Sequence, residues 1–274
     1  VGVILPILSR NRFAICLRGI AKGVKKVVLM LSYPSDEVGN HLISIDALDE
    51  KGVEYNTELR ALYEEECGTE AIPTTSHPVV NNALGLILTK SQLPEMPVSL
   101  LTDEIMNNAK AYSDTALVMI SRTSAEGTDL TEDILRISDE ERALIEKLNA
   151  NFENIIVLLN ISNIIEMGFI DEYENIKAAA AIWIPGEFGM RAVAQMLSGE
   201  VNPSGRLTDT VAYSVDDHPS TECFGTYEYE GGGYYVEYLE GIYVGYRYFE
   251  TFAKDKVQYP FGYGLSYTTF NKEL

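Results

Sequence analysis

Short, unbroken apolar runs alternate along this chain with stretches in which apolar residues recur every three or four positions. The runs cover residues 12–17, 26–31, 116–120, 154–159 and 179–184. They are partly β-branched and, after a polar first residue at Arg12, Lys26 and Asn154, wholly apolar, so they read as strands buried on both faces of a sheet. The stretches between them carry helix signals. Asn56 offers an N-cap, and Leu59, Leu62 and Tyr63 form an apolar stripe that Gly68 closes. Thr102 can cap a helix bearing Ile105, Met106 and Ala109. Ser138 and Glu141 match a capping box ahead of Leu144, Ile145 and Leu148. Met190, Val193, Met196 and Leu197 make a last stripe, with Gly199 as its stop. Strand, helix, strand, helix with apolar strands predicts an α/β fold whose mostly parallel sheet is covered by helices on both sides.

Two regions break this rhythm. From about residue 69 to 98 the chain holds Pro73, Pro78, Pro94 and Pro97 and one apolar patch at 84–88, and no element is assignable. In the last third the helical pattern stops, and 12 of the 17 tyrosines fall between Tyr213 and Tyr267, interleaved with glycine. Aromatic faces hold sugar rings, but they also pack as wrapping, and wrapping is the reading favoured here. The expected organisation is an α/β domain over 1–213, its first ~40 residues being the least certain. An irregular Tyr/Gly-rich extension follows over 214–274, ends in a strand at 266–270, and leads towards a further module.

Composition removes whole classes of function. Forty-one acidic against 21 basic residues give a formal charge of −20, a field that repels nucleic acid and anionic membranes, so neither is expected as a partner. Cys16, Cys67 and Cys223 are scattered and odd in number, which argues against a disulfide framework or zinc site and favours a reducing compartment. His41, His77 and His218 lie far apart, without ligand spacing, and no metal or cofactor is expected. The opening residues 1–8 are apolar but short and broken by Pro6, unlike a signal peptide, and no run nears the ~18 apolar residues of a membrane span. A cytoplasmic location is the expectation, and a start without Met reads as a processed or excised piece. Residues 18–23, Arg-Gly-Ile-Ala-Lys-Gly, are not a G-x-G-x-x-G turn, and no G-x-x-x-x-G-K-[ST] occurs, so nucleotide chemistry is set aside.

Candidate chemistry lies just past the central run. After residues 116–120 come Ser121, Arg122, Thr123 and Ser124, then Glu126 and Gly127. Small polar residues around one carboxylate, beyond the carboxyl end of a buried strand, mark where open α/β sheets bind ligands.

Three longer motifs sharpen this. Residues 202–210 read Asn-Pro-Ser-Gly-Arg-Leu-Thr-Asp-Thr, residues 241–249 Gly-Ile-Tyr-Val-Gly-Tyr-Arg-Tyr-Phe, and residues 259–270 Tyr-Pro-Phe-Gly-Tyr-Gly-Leu-Ser-Tyr-Thr-Thr-Phe. In this order they resemble the signatures of glycoside hydrolase family 3, a family of mainly β-glucosidases. The resemblance runs from about residue 100 to the end and more weakly back to about Ser44. It implies that family's second domain, a six-stranded α/β sandwich bordering an active site built mainly by a (β/α)8 barrel. Residues 122–129, Arg-Thr-Ser-Ala-Glu-Gly-Thr-Asp, resemble the loop with the family's general acid/base, so that role falls to Glu126, and Arg122, Ser124 and Asp129 are set beside the substrate.

The resemblance also implies what is needed elsewhere. A retaining hydrolase uses two carboxyl groups about 5–5.5 Å apart. The nucleophile belongs to the barrel, which needs ~250 residues of its own, and the sandwich uses up this chain. The expected partners are therefore a β-linked glucoside or related oligosaccharide and a barrel in cis or in trans, with this chain alone inactive. The order of motifs is also similar to members whose sandwich precedes the barrel. The family's glycine-rich loop is missing around residues 18–26, and residues 185–189, Pro-Gly-Glu-Phe-Gly, replace a more usual G-Q-E-G-G. Both departures bear on whether a sugar site survives. The competing reading is a non-catalytic carbohydrate-binding or assembly module in which Glu126 is vestigial.

Overall fold

The computed structural model of the chain describes residues 15–18, 23–31, 47–67, 96–122, 132–161, 163–223, 227–269 and 271. The apolar runs become a six-stranded sheet. Its strands are β1 (Ile15–Arg18), β2 (Lys26–Leu31), β3 (Glu54–Tyr55), β4 (Thr115–Ser121), β5 (Asn154–Asn160) and β6 (Ile176–Ala181), in the order β1-β6-β5-β4-β2-β3. All neighbours run parallel except β1, which lies antiparallel on β6. Between β2 and β4 the chain switches from winding one way along the sheet to winding the other. Such a reversal opens a crevice at the carboxyl ends of the strands.

The helices begin and end where the sequence signals them. Asn56 Oδ1 accepts from the N–H groups of Glu58 (2.9 Å) and Leu59 (3.2 Å) at the start of α1 (Thr57–Cys67). Thr102 Oγ1 accepts from Ile105 N at 3.3 Å and opens α2 (Asp103–Tyr112). Both halves of the Ser138–Glu141 capping box form, each at 3.0 Å, at the start of α3 (Asp139–Asn151). A single turn, α4 (Phe169–Glu172), precedes β6. Gly199, at φ 82°, ends α5 (Gly186–Ser198), and its positive φ suits a residue without a Cβ. The closure expected at Gly68 lies outside the described residues.

Alternate side chains of the sheet meet different helices. Leu29, Leu117, Met119 and Leu158 line a small apolar cavity with Met190, Val193, Ala194 and Leu197 of α5. Met30, one position along from Leu29, has its sulfur 3.7 Å from the Tyr63 hydroxyl of α1. With Val118, Ile145, Leu148, Ile155 and Val157 also fully buried, the core is continuous from one helical layer through the sheet to the other.

Three segments depart most from the sequence reading. The last central strand covers Ile176–Ala181 and not 179–184, because Trp183 takes φ 57° and turns the backbone out of the strand. Residues 185–189 run straight into a helix ahead of the stripe at Met190: Gly186 begins α5, with Pro185 at its N-cap. Residues 266–269 form no strand, because their polar groups are tied to one side chain. Asn202 Oδ1 accepts from Ser266 Oγ (2.8 Å) and Tyr267 N (2.9 Å), and Asn202 Nδ2 donates to Thr268 Oγ1 (2.9 Å).

The extension is irregular but not helix-free. A short helix, α6 (Tyr246–Phe252), packs Phe249 against Ala212 and Ala253. Two small antiparallel pairs accompany it: β7 (Val211–Ala212) with β10 (Val257–Tyr259), and β8 (Tyr227–Glu228) with β9 (Tyr234–Tyr235). Gly231, Gly232 and Gly233, all at φ of 93–110°, supply the reversal of the second pair. The first and third family motifs interlock. Leu207 N donates to Tyr263 O and Gly262 N to Leu207 O, both at 2.8 Å. Gly264 lies so close to Gly205 O and Arg206 that a Cβ there would collide with backbone. Gly264 thus serves chain packing.

Candidate functional site

Parallel strands deliver their last residues to one edge, and at β4 and β5 that edge turns polar. Ser121 and Asn160 end their strands side by side, 6% and 1% exposed in an otherwise apolar layer. Asn160 Nδ2 donates to Ser121 Oγ at 3.3 Å, and Asn160 Oδ1 is buried without a hydrogen-bond partner among the described residues. Arg122 extends the ladder by one bond, its N–H donating to Asn160 O at 3.1 Å. Just past the neighbouring strand β6, Trp183 holds a left-handed backbone that a bulky residue rarely adopts, a strain of order 1–3 kcal/mol of the kind that gathers at functional sites.

Arg122 is 5% exposed, and its guanidinium is bound on every side. Nε donates to Ile134 O (3.3 Å). NH1 donates to Ser121 O (3.0 Å) and to Glu141 Oε1, and NH2 to Arg136 O (2.9 Å) and Glu141 Oε2 (2.5 Å). An arginine side chain has five N–H donors, and all five are engaged within the chain. The group that the resemblance sets beside a substrate thus makes five bonds within the chain. Glu141 is 1% exposed and performs two tasks with one carboxylate, since Oε2 also accepts from Ser138 N in the capping box.

The contacts of Arg122 span the ends of one segment. The chain leaves β4 through Ser121 and Arg122 and comes back as a 3-10 turn, Glu132–Leu135, followed by Arg136. The returning end has further ties. Arg136 pairs with Glu132 (3.2 Å), Glu166 (3.2 Å) and Asp216 (2.8 Å), and Glu166 N donates to Leu135 O at 2.7 Å. Ser124, Glu126 and Asp129 fall in residues 123–131, outside the described residues.

Sequence reading found the capping role of Glu141 but not its ion pair, because spacing reports neighbours along a helix and not across the fold. Asn160 and Trp183 were also passed over. The available signal was an amide ending an apolar run in Asn160. For Trp183 no local signal exists, since nothing in sequence marks an aromatic residue for positive φ.

Comparison with known proteins adds to this geometry. The family model described as the glycosyl hydrolase family 3 C-terminal domain matches residues 15–267. A beta-glucosidase of Ruminococcus albus is 44% identical over 178 residues, covering 64% of this chain and 18% of the relative. A beta-glucosidase from Paenibacillus barengoltzii is similar in structure, with TM-score 0.76 and 34% identity over 96% of this chain and 29% of that one. Beta-glucosidase 3B from Thermotoga neapolitana, solved in complex with glucose, gives 0.72 and 28% identity over 93% of this chain and 37% of its own. The chain thus spans less than two fifths of the length of each of these relatives.

Proposed function

Because this chain belongs to glycosyl hydrolase family 3, whose C-terminal domain it matches over most of its length, we propose that it supplies the general acid/base carboxylate, Glu126, to a retaining β-glucosidase-like active site. The observation that carries the proposal is topological. The segment with Glu126 begins and ends beside the strand reversal at the carboxyl edge of the sheet, where Ser121, Arg122 and Asn160 make a polar border. A β-linked glucoside is the proposed substrate. The glucose in the related Thermotoga neapolitana enzyme supports it. The second carboxylate comes from a (β/α)8 barrel in cis or in trans, and the 274-residue chain alone does not hydrolyse aryl β-glucosides.

In this mechanism the barrel's carboxylate attacks the anomeric carbon while Glu126 protonates the departing glycosidic oxygen. Glu126 then takes a proton from the water that releases the sugar. A carboxyl group enclosed between two domains can hold its proton to pH ~6, which suits the first of these tasks. Ser124 and Asp129 are assigned to the substrate side of the same segment.

The test is Glu126→Ala with the barrel present. Hydrolysis of cellobiose should fall by ~10²–10⁴. The first step on a dinitrophenyl glucoside, whose leaving group departs without a proton, should change little. A glycosyl-enzyme should accumulate, and azide should restore turnover and yield a β-glucosyl azide. Equal loss on both substrates with no rescue, in a folded variant, would leave the non-catalytic module as the reading.

A further inference from the structure

We infer that Arg122, fixed by Glu141, is a positioning residue for the acid/base: it fastens both ends of segment 123–131 to each other and to the start of α3. This rests on the role of Glu126 proposed above. One planar guanidinium reaches Ser121 O on the outgoing side and Ile134 O and Arg136 O on the returning side. Its remaining two donors close on the two oxygens of Glu141, which is held in turn by the capping box. The side chains of the pair are 4% and 1% exposed.

The chemistry of the pair argues for placement over stability. Buried ion pairs are often replaced by apolar residues without loss of stability, so folding alone does not demand one here. Carbonyls approached from three directions do demand a rigid, five-donor fork. Lysine, with three donors on a single nitrogen, cannot span them. A general acid gains most of its effect from being held within hydrogen-bond reach of one oxygen, and a displacement of about 1 Å can lower the rate about 10²-fold. Arg122 stands four residues before Glu126 and fixes where the segment that carries it leaves and rejoins the fold.

Removing Arg122 alone leaves a buried carboxylate and endangers the fold, so the decisive variant is paired: Arg122→Met with Glu141→Leu. Arg122→Lys, which keeps the charge but not the fork, is its companion. Both are made in the complete, barrel-containing enzyme beside Glu126→Ala. The paired variant should melt below the wild-type temperature, because three carbonyls and Ser138 N lose their partners, and while folded should lose about 10²-fold in kcat/KM on cellobiose. It should keep its first step on the dinitrophenyl glucoside and gain turnover with azide. Arg122→Lys should show the same pattern, and it decides the matter if the paired variant does not fold. Wild-type activity on cellobiose, or equal losses on both substrates, would overturn the positioning role. If Glu126→Ala shows leaving-group dependence and rescue while the Arg122 variants do not, only the positioning role falls. If Glu126→Ala lacks them, both assignments fall together.

Discussion

The sheet and the extension are both rich in apolar side chains, yet they use them in opposite ways. Along β4 and β5 nearly every side chain is buried, and Val118, Ile155 and Val157 have no exposed surface at all. In the extension Tyr238 is 85% exposed, Ile242 76% and Tyr234 70%. The difference lies in spacing. Periods of two and 3.6 aim a set of side chains in one direction, whereas runs broken by glycines at positive φ scatter them. The sheet is held by its interior. The extension is held by polar ties to residues 202–213, by bonds from Gln258 to Met167 O and Asp171 and from Tyr267 to Met196 O, by Tyr259 seated in the main core, and by the small cluster around Phe249. Damage should therefore spread through the first region and stay local in the second.

The strongest way to break this contrast is a cavity in the sheet. Leu148 on α3 is fully buried in the continuous core. Leu148→Ala should lower stability by about 2–5 kcal/mol. Urea unfolding followed by circular dichroism should show one earlier transition for the whole sheet. A loss below about 1 kcal/mol would mean that the core around α3 adapts, and that the sheet tolerates gaps as the extension does.

A smaller effect should follow from cutting the main tie of the extension. Asn202→Ala removes the three bonds to Ser266, Tyr267 and Thr268. They are exposed, and at ~0.5–1.5 kcal/mol each before discounting for water, about 1–2 kcal/mol in sum is expected. Hydrogen exchange should quicken in residues 262–269 and leave the amides of β4 and β5 unchanged. If those strands exchange faster too, sheet and extension are one cooperative unit and the contrast fails.

How far each region was legible follows from the same difference. Asn56, Thr102, Ser138 with Glu141, and Gly199 cap their helices as their spacing says, because capping is settled within four residues. β2 has the expected bounds, β4 is longer by a residue at each end and β5 by one at its close, since a doubly buried strand must be apolar along its length. The extension was less legible. Residues 266–269 look like a strand in isolation, and only Asn202, more than 60 positions away, claims their polar groups. The helix at Tyr246–Phe252 was hidden by aromatic residues that carry no helical stripe. At the candidate site, Ser124, Glu126 and Asp129 lie outside the described residues. The engagement of Arg122 with Glu141 depends on the start of α3 lying beside the end of β4, which no local pattern encodes.

The finest probe of the contrast is pH at the seam between the regions. His218 sets its ring edge-on to Phe249, with centroids 4.9 Å apart, beneath α6. Burial is the largest influence and pushes the imidazole below its ordinary 6.5, while Asp217, Asp209 and Glu240 oppose it. The folded state therefore binds a proton less readily than the unfolded chain. Stability contributed by this site is complete above pH ~6.5 and is lost as pH falls through the lowered folded value. Melting temperatures of wild type and His218→Gln, compared at pH 8 and pH 5.5, isolate this group from the other two histidines. Wild type should lose more on acidification than the variant, by a small margin because three carboxylates offset the burial. The extra loss should appear in the exchange of residues 246–253 before that of the strands. Equal losses in the two proteins would show that His218 does not report on the seam, and that α6 is held by Phe249 alone.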